Sequence, residues 1–177
     1  MQGRDVILGI LNLSPKTGYE INDMLKNQLS FFYDGTYGMI YPTLRKLESE
    51  GMIEKKQIIQ NGKPNKNIYS ITDAGKKEFE KYMASDVAPE SIKSDFLLRL
   101  YFGQNNLSNE QIMTLFSQEI ERKKKHLAFI RKNHDQWKEK GMGELQEITL
   151  EYGVSYYDNA IKLLEKKRNQ LKQRITK

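Results

Sequence analysis

The chain has 177 residues, 38% of them apolar and 29% charged, with a net charge of +6 and no cysteine. These values describe one medium or two small folded domains, and they exclude disulfides and thiolate chemistry. No apolar run approaches the ~20 residues of a membrane span.

Charge admits nucleic acid as a partner, but residues 1–84 carry a net of only +2 and the remainder +4, so a DNA site has to be a local patch. The opening MQGRDVILGILNLSPKTGYE lacks a charged start and a small-residue cleavage site and reads as mature sequence. With no cysteine, the expected setting is the reducing cytoplasm.

In chain order, Val6 to Leu13 is apolar on several faces, as in a buried helix. SPKTG, Ser14 to Gly18, is a turn signal, and Thr17 with Glu20 has capping-box spacing, so a second helix is expected from near Thr17 with Ile21, Leu25 and Leu29 inward. After the aromatic-rich SFFYDG comes GTYGMIYPTLRKLESEG, where Ile40, Leu44 and Leu47 recur at i, i+4 and i+7 and face a core. The opposite face carries Gly38, Pro42, Arg45 and Ser49, with Met39 and Lys46 beside it. A proline inside a helix costs about 3 kcal/mol. If the helix starts near Thr36 to Gly38, however, Pro42 falls where backbone donors are only just paired, and the cost drops.

Gly51 reads as the helix stop, MIEKKQIIQ as a strand, NGKPNK as a turn and NIYSIT as the return strand, with Tyr69 and Ile71 on one face. Thr72 or Asp73 then caps a helix reaching Met83. Helix, helix, helix, hairpin, helix is the order of a winged helix-turn-helix, whose third helix enters the major groove while the hairpin tip touches the backbone. Lys55, Lys56, Lys63 and Lys66 form a basic patch on that hairpin with no acid among them. The same architecture also serves as a protein-interaction module.

SDVAPES, residues 85–91, reads as a linker between a winged-helix domain of residues 1–84 and a helical domain of residues 92–177. Phe96, Leu97, Leu100 and Tyr101 of the next short helix are expected toward a core. Ser108 and Gln111 open a second capping box, and Ile112, Leu115, Phe116, Ile120, Leu127, Ile130 and Trp137 follow at helical spacing. After the reversal at GMG, residues 141–143, a second long helix carries Leu145, Ile148, Tyr152, Tyr156, Ile161, Leu164, Leu171 and Ile175. Two long helices joined by a tight turn cover only part of their apolar surface, and a second copy covers the rest, so these residues are expected to form a homodimer interface.

Little points to catalysis. His126 and His134 stand eight apart on one helix, no His/Asp/Glu cluster has metal-ligand spacing, and there is no phosphate-binding glycine loop. The expectation is a non-enzyme without cofactor or metal. Phe31, Phe32, Tyr33, Tyr101, Phe102, Trp137, Tyr152, Tyr156 and Tyr157 either fill the core and the dimer interface or line a pocket for a small aromatic ligand.

With ILGILNLSPKTGYEI, GMIYPTLRKLESEGMIEKK and GKPNKNIYSITDAGKKEFEKYM in view, about half the chain resembles the PadR family of bacterial transcriptional regulators. The segment APESIKSDFLLRLYFG resembles the branch that senses phenolic acids. The resemblance implies a homodimeric repressor on an inverted-repeat operator, released by an effector in some members. It places Tyr19, Thr36, Tyr37, Tyr41, Pro42, Thr43 and Arg45 at the DNA together with Lys63 and Lys66 of the wing. The effector-binding residues form no spaced motif and stay unassigned.

Overall fold

The computed structural model describes residues 3–30, 32–33, 35, 37–59 and 65–175, with Tyr37 and Ile175 described by their backbone alone. The chain divides into two compact units between Glu90 and Ser91.

The first unit contains α1 (Gly3–Leu13), β1 (Lys16–Thr17), α2 (Gly18–Asn27), α3 (Tyr37–Ser49), β2 (Ile53–Ile58), β3 (Lys66–Ile71) and α4 (Asp73–Met83). Its core is built from the apolar stripes of the first three helices: Ile7, Leu8 and Leu11 from α1, Ile21 and Leu25 from α2, and Ile40, Leu44 and Leu47 from α3, closed by Ile53 and Tyr69 of the sheet. Thr17 caps α2, accepting from the Glu20 amide at 3.2 Å, while the Glu20 carboxylate accepts from the Thr17 amide at 2.7 Å. Those bonds hold the Glu20 carboxyl below its ordinary range. Gly51, at φ +70°, ends α3, with Met52 N–H donating to the Leu47 carbonyl at 2.9 Å in the Schellman manner.

One element was not legible. Lys16 and Thr17, read as part of a turn, pair with Tyr69 and Ile68 of β3, so the expected hairpin carries a third antiparallel strand in the order β1-β3-β2. Two residues are too short for a period-2 pattern to register. The strand fastens the start of α2 to the wing. At the other end of the sheet, Thr72 caps α4 by accepting from the Gly75 amide at 3.1 Å and donates its hydroxyl to the Gly51 carbonyl at 2.7 Å.

The second unit contains α5 (Asp95–Phe102), a turn of 3-10 helix, α6 (Asn109–Glu139) and α7 (Glu144–Ile175). Ser108 and Gln111 form the expected capping box at the start of α6. Helices α6 and α7 run antiparallel, tied by Lys124–Glu165 at 2.7 Å, Arg131–Asp158 at 2.6 Å and Lys138–Glu147 at 2.9 Å. Phe116, Ile120, Leu127 and Ile130 of α6 and Leu150, Tyr157 and Ile161 of α7 are buried. In α5, Phe96 is buried edge-on against Phe116 at 5.5 Å, but Leu97 and Tyr101, expected inward, are 54% and 81% exposed. An eight-residue helix laid on one neighbour covers a single stripe, and Leu97 and Tyr101 lie on the next one.

Glu119 is buried on α6 between Arg122 and Lys123, and the Lys123 ammonium lies 5.0 Å from the Tyr156 ring centre. His126 stacks on Tyr157 at 5.6 Å. Burial, then Arg122 and Lys123, push the His126 pKa below its ordinary value of 6.5, with Glu119 opposing. Because the folded pair resists that proton more than the unfolded chain does, stability falls as pH drops through and below this value. Urea midpoints between pH 7.5 and 5.5 should therefore decline less in His126→Gln than in the parent.

Candidate nucleic-acid interface

Helix α3 begins at Tyr37, so Pro42 is its sixth residue. The first four amides of a helix have no partner inside it, and the amide that Pro42 lacks would have been among the first to find one, at the Gly38 carbonyl. Pro42 and Gly38 are both exposed, and a Cβ added to Gly38 would meet nothing within 4 Å. The proline thus costs little where it stands and leaves the first turns of α3 slim on their outer side.

Around the helix the residues separate cleanly. Ile40, Leu44 and Leu47 are at most 1% exposed, whereas Gly38, Tyr41, Pro42, Arg45 and Lys46 are exposed and Thr43 is half-buried. Two acids follow near the end of the helix, and each is taken up by a cation from another element. Glu48 pairs with Lys55 of β2 at 3.1 Å, and Glu50 pairs with Arg4 of α1 at 3.2 Å. Among the described residues, Arg45 and Lys46 have no ion-pair partner, so the outer face of α3 offers two uncommitted cations.

Pairing with Glu48 also changes the reading of the wing. By sequence Lys55 opens a run of basic residues reaching Lys66 with no acid among them, but α3 brings Glu48 to it from seven residues before. Lys66 is half-buried at the start of β3 opposite Ile58. Tyr19 is 73% exposed at the second residue of α2. Thr36, Lys63 and Phe31 lie outside the described residues, as does the side chain of Tyr37.

On α7 the residues expected at a dimer interface fall into two groups. Leu145, Ile148, Tyr152 and Tyr156 are 47–79% exposed and form a stripe with the exposed Leu163, whereas Ile161 is buried and Leu164 and Leu171 are half-buried. The sequence reads as one stripe because neighbouring stripes on a long helix share i, i+3 and i+4 spacing. The aromatics pack largely on one another: Tyr156 is edge-on to Tyr157 at 5.3 Å, Phe129 lies 6.0 Å from Trp137, and Tyr101 is edge-on to Phe102 at 5.1 Å. No helix among the described residues is long and apolar enough to cross a membrane.

Comparison with known proteins bears on both units. The model of the transcriptional regulator PadR-like family matches residues 7–81, and that of the virulence activator alpha C-terminal family matches residues 92–172. The negative transcriptional regulator PadR of Bacillus subtilis is 32% identical over 130 residues, covering 73% of this chain and 71% of that one. Among solved structures, smu.1604c from Streptococcus mutans is 55% identical with a TM-score of 0.89, covering 94% of this chain and 98% of that one. Bacillus subtilis PadR in complex with operator DNA is 27% identical with a TM-score of 0.76, covering 95% and 98%. The same regulator in complex with p-coumaric acid is 25% identical with a TM-score of 0.69, covering 96% and 98%.

Proposed function

The chain belongs to the PadR-like family of transcriptional regulators, and from that premise we propose that it is a homodimeric repressor whose α3 helices read an inverted-repeat operator in the cytoplasm. One observation carries the reading: the outer face of α3 is slim, exposed and cationic while its inner face is fully buried. The major groove, about 12 Å wide, admits such a helix. The operator complex of the Bacillus subtilis relative supports the same use of the fold.

In this reading Gly38 and Pro42 let the first turns approach the base edges. Arg45 donates in bidentate fashion to a guanine, the commonest specific contact. Tyr19, Thr43 and Lys46 hold phosphates, and Thr36, Tyr37, Lys63 and Lys66 extend the contact as the family resemblance implies. The exposed stripe Leu145, Ile148, Tyr152 and Tyr156 pairs with its copy about a two-fold axis and presents two α3 helices to half-sites about one helical turn apart.

Arg45→Ala should cost about 1–3 kcal/mol of operator affinity and relax the preference at one base position. Lys46→Ala should weaken all sequences alike and lower the salt slope by about one. Sequencing the genomic fragments that the protein retains, followed by titration of one of them at several salt concentrations, measures both. A protein-docking role for the same face predicts little DNA affinity even at low salt.

We further propose that a small aromatic acid releases the operator, on the strength of the p-coumaric acid complex of the relative. Calorimetry with a panel of phenolic acids tests this step. Heat together with operator release supports it, and neither leaves a plain repressor.

A further inference from the structure

We propose that Tyr41 is a positioning residue for DNA binding, seated on Gly18, and that this seat sets how α3 is presented relative to the wing. The inference rests on the DNA-binding reading above and departs from the direct DNA contact that the family resemblance gives Tyr41.

Gly18 is the first residue of α2 and is buried. A Cβ built there would lie 2.9 Å from the Tyr41 hydroxyl oxygen and 3.0 Å from Cε1 and Cζ of its ring. The ring therefore occupies the space that any side chain at position 18 would claim. Gly18 needs no special backbone conformation, since its φ is not positive, so the closeness of the ring is what calls for glycine.

The seat is fixed on two sides. Thr17 immediately before it is held by the capping box with Glu20 and pairs with Ile68 of β3, the strand that also carries the wing. A ring resting on Gly18 is thus referred to the sheet. Along the same flank of α3, at i+7, Glu48 reaches Lys55 of β2. Two ties, one aromatic and one ionic, join this flank to α2 and the sheet. Arg45 stands between them at i+4 from Tyr41, exposed. Tyr41 itself is only 37% exposed, against 73% for Tyr19, as suits a ring whose face is already used. A bidentate contact to a base edge depends on its donors being in register and is worth about 1–3 kcal/mol, so a shifted seat should be read in affinity before it is read in folding.

The test uses the full chain and an operator fragment retained by the parent, with affinities measured at 10 °C, where circular dichroism verifies folding. Tyr41→Ala should weaken binding at least tenfold, and Tyr41→Phe, which keeps the ring, should stay within about threefold of the parent. Gly18→Ala should weaken binding at least fivefold in the parent but less than twofold in the Tyr41→Ala background, since no ring remains to be displaced. Equal losses from Gly18→Ala in both backgrounds would overturn the proposal. So would Tyr41→Phe losing as much as Tyr41→Ala, which would make the hydroxyl and not the ring the group that matters. If Gly18→Ala does not fold, Tyr41→Ala is repeated in the Arg45→Ala background: a loss reduced to about threefold or less supports a role through the placing of Arg45, and an undiminished loss overturns the proposal. A parent that retains no DNA overturns the DNA reading and this inference together, whereas a parent that binds with an additive cycle overturns only this inference.

Discussion

Ile148→Arg combined with Tyr152→Arg is expected to convert the proposed dimer to a monomer at micromolar concentration and to lower operator affinity at least a hundredfold. Both side chains are more than half exposed in the single chain, and the stripe that joins α7 to α6 is a different one, built on Leu150, Tyr157 and Ile161. The substitutions therefore leave the helix pair its own core, and arginine is a good helix former. In a two-fold interface each new charge meets the same patch on the partner, where like charges are forced out of water together. Loss of the partner removes the second α3 helix, and with it the gain from binding two half-sites at once, which is worth a factor of 100 to 10,000. Light scattering and operator titration read both effects. A double variant that keeps its dimer mass would place the interface elsewhere, with the exposed α5 residues Leu97, Leu98, Tyr101 and Phe102 as the next surface to charge.

Gly75→Ala is expected to be the most damaging single methyl in the first unit. Gly75 is buried in the first turn of α4, where a Cβ would overlap the Met52 carbonyl oxygen and lie 2.8 Å from Cγ1 of Ile71. That carbonyl accepts from the Thr72 amide at 3.0 Å, so backbone and not a flexible side chain would have to move. Overpacking of this kind costs about 3 kcal/mol at the upper end of its usual range, equivalent to roughly 12–24 °C in melting temperature for a unit of this size. Gly38→Ala supplies the opposite case. Open space surrounds Gly38 and its φ is not positive, so the methyl meets no obstacle. In a helix it should stabilise by up to about 1 kcal/mol, while crowding the face proposed to meet DNA. Thermal melts of the two variants against the parent check both signs, and operator titration of Gly38→Ala checks the second consequence.

Legibility of the sequence followed the range of the interaction concerned. Local signals read correctly: the Thr17–Glu20 and Ser108–Gln111 boxes, the Gly51 stop, the Ile40, Leu44, Leu47 stripe and the two strands β2 and β3, although Lys66, read as turn, is the first residue of β3. Each depends on residues within about two helical turns, where spacing determines geometry. What stayed hidden depends on tertiary neighbours. The strand at Lys16 and Thr17 exists only because β3 lies beside it. Lys55 looks uncommitted until α3 brings Glu48 to it. Leu97 and Tyr101 are as apolar as Phe96 and Leu100, and only the position of α6 decides which pair is covered. The candidate site shows the same division. The outward face with Gly38, Pro42 and Arg45 follows from periodicity, but the seat of Tyr41 on Gly18 joins residues 23 positions apart that no spacing rule connects.

The most direct test of the central claim, that the outer end of α3 enters duplex DNA, exploits the absence of cysteine in the chain. A Gly38→Cys variant carrying an iron-EDTA cleavage reagent, bound to a retained genomic fragment, should cut the DNA at two positions about one helical turn apart, symmetric about the operator centre. The same reagent on Met83→Cys, at the end of α4, serves as the reference. Focused cutting from position 38 and none from position 83 is the predicted outcome. Absent cutting from position 38, or a pattern shared by both positions, would contradict it.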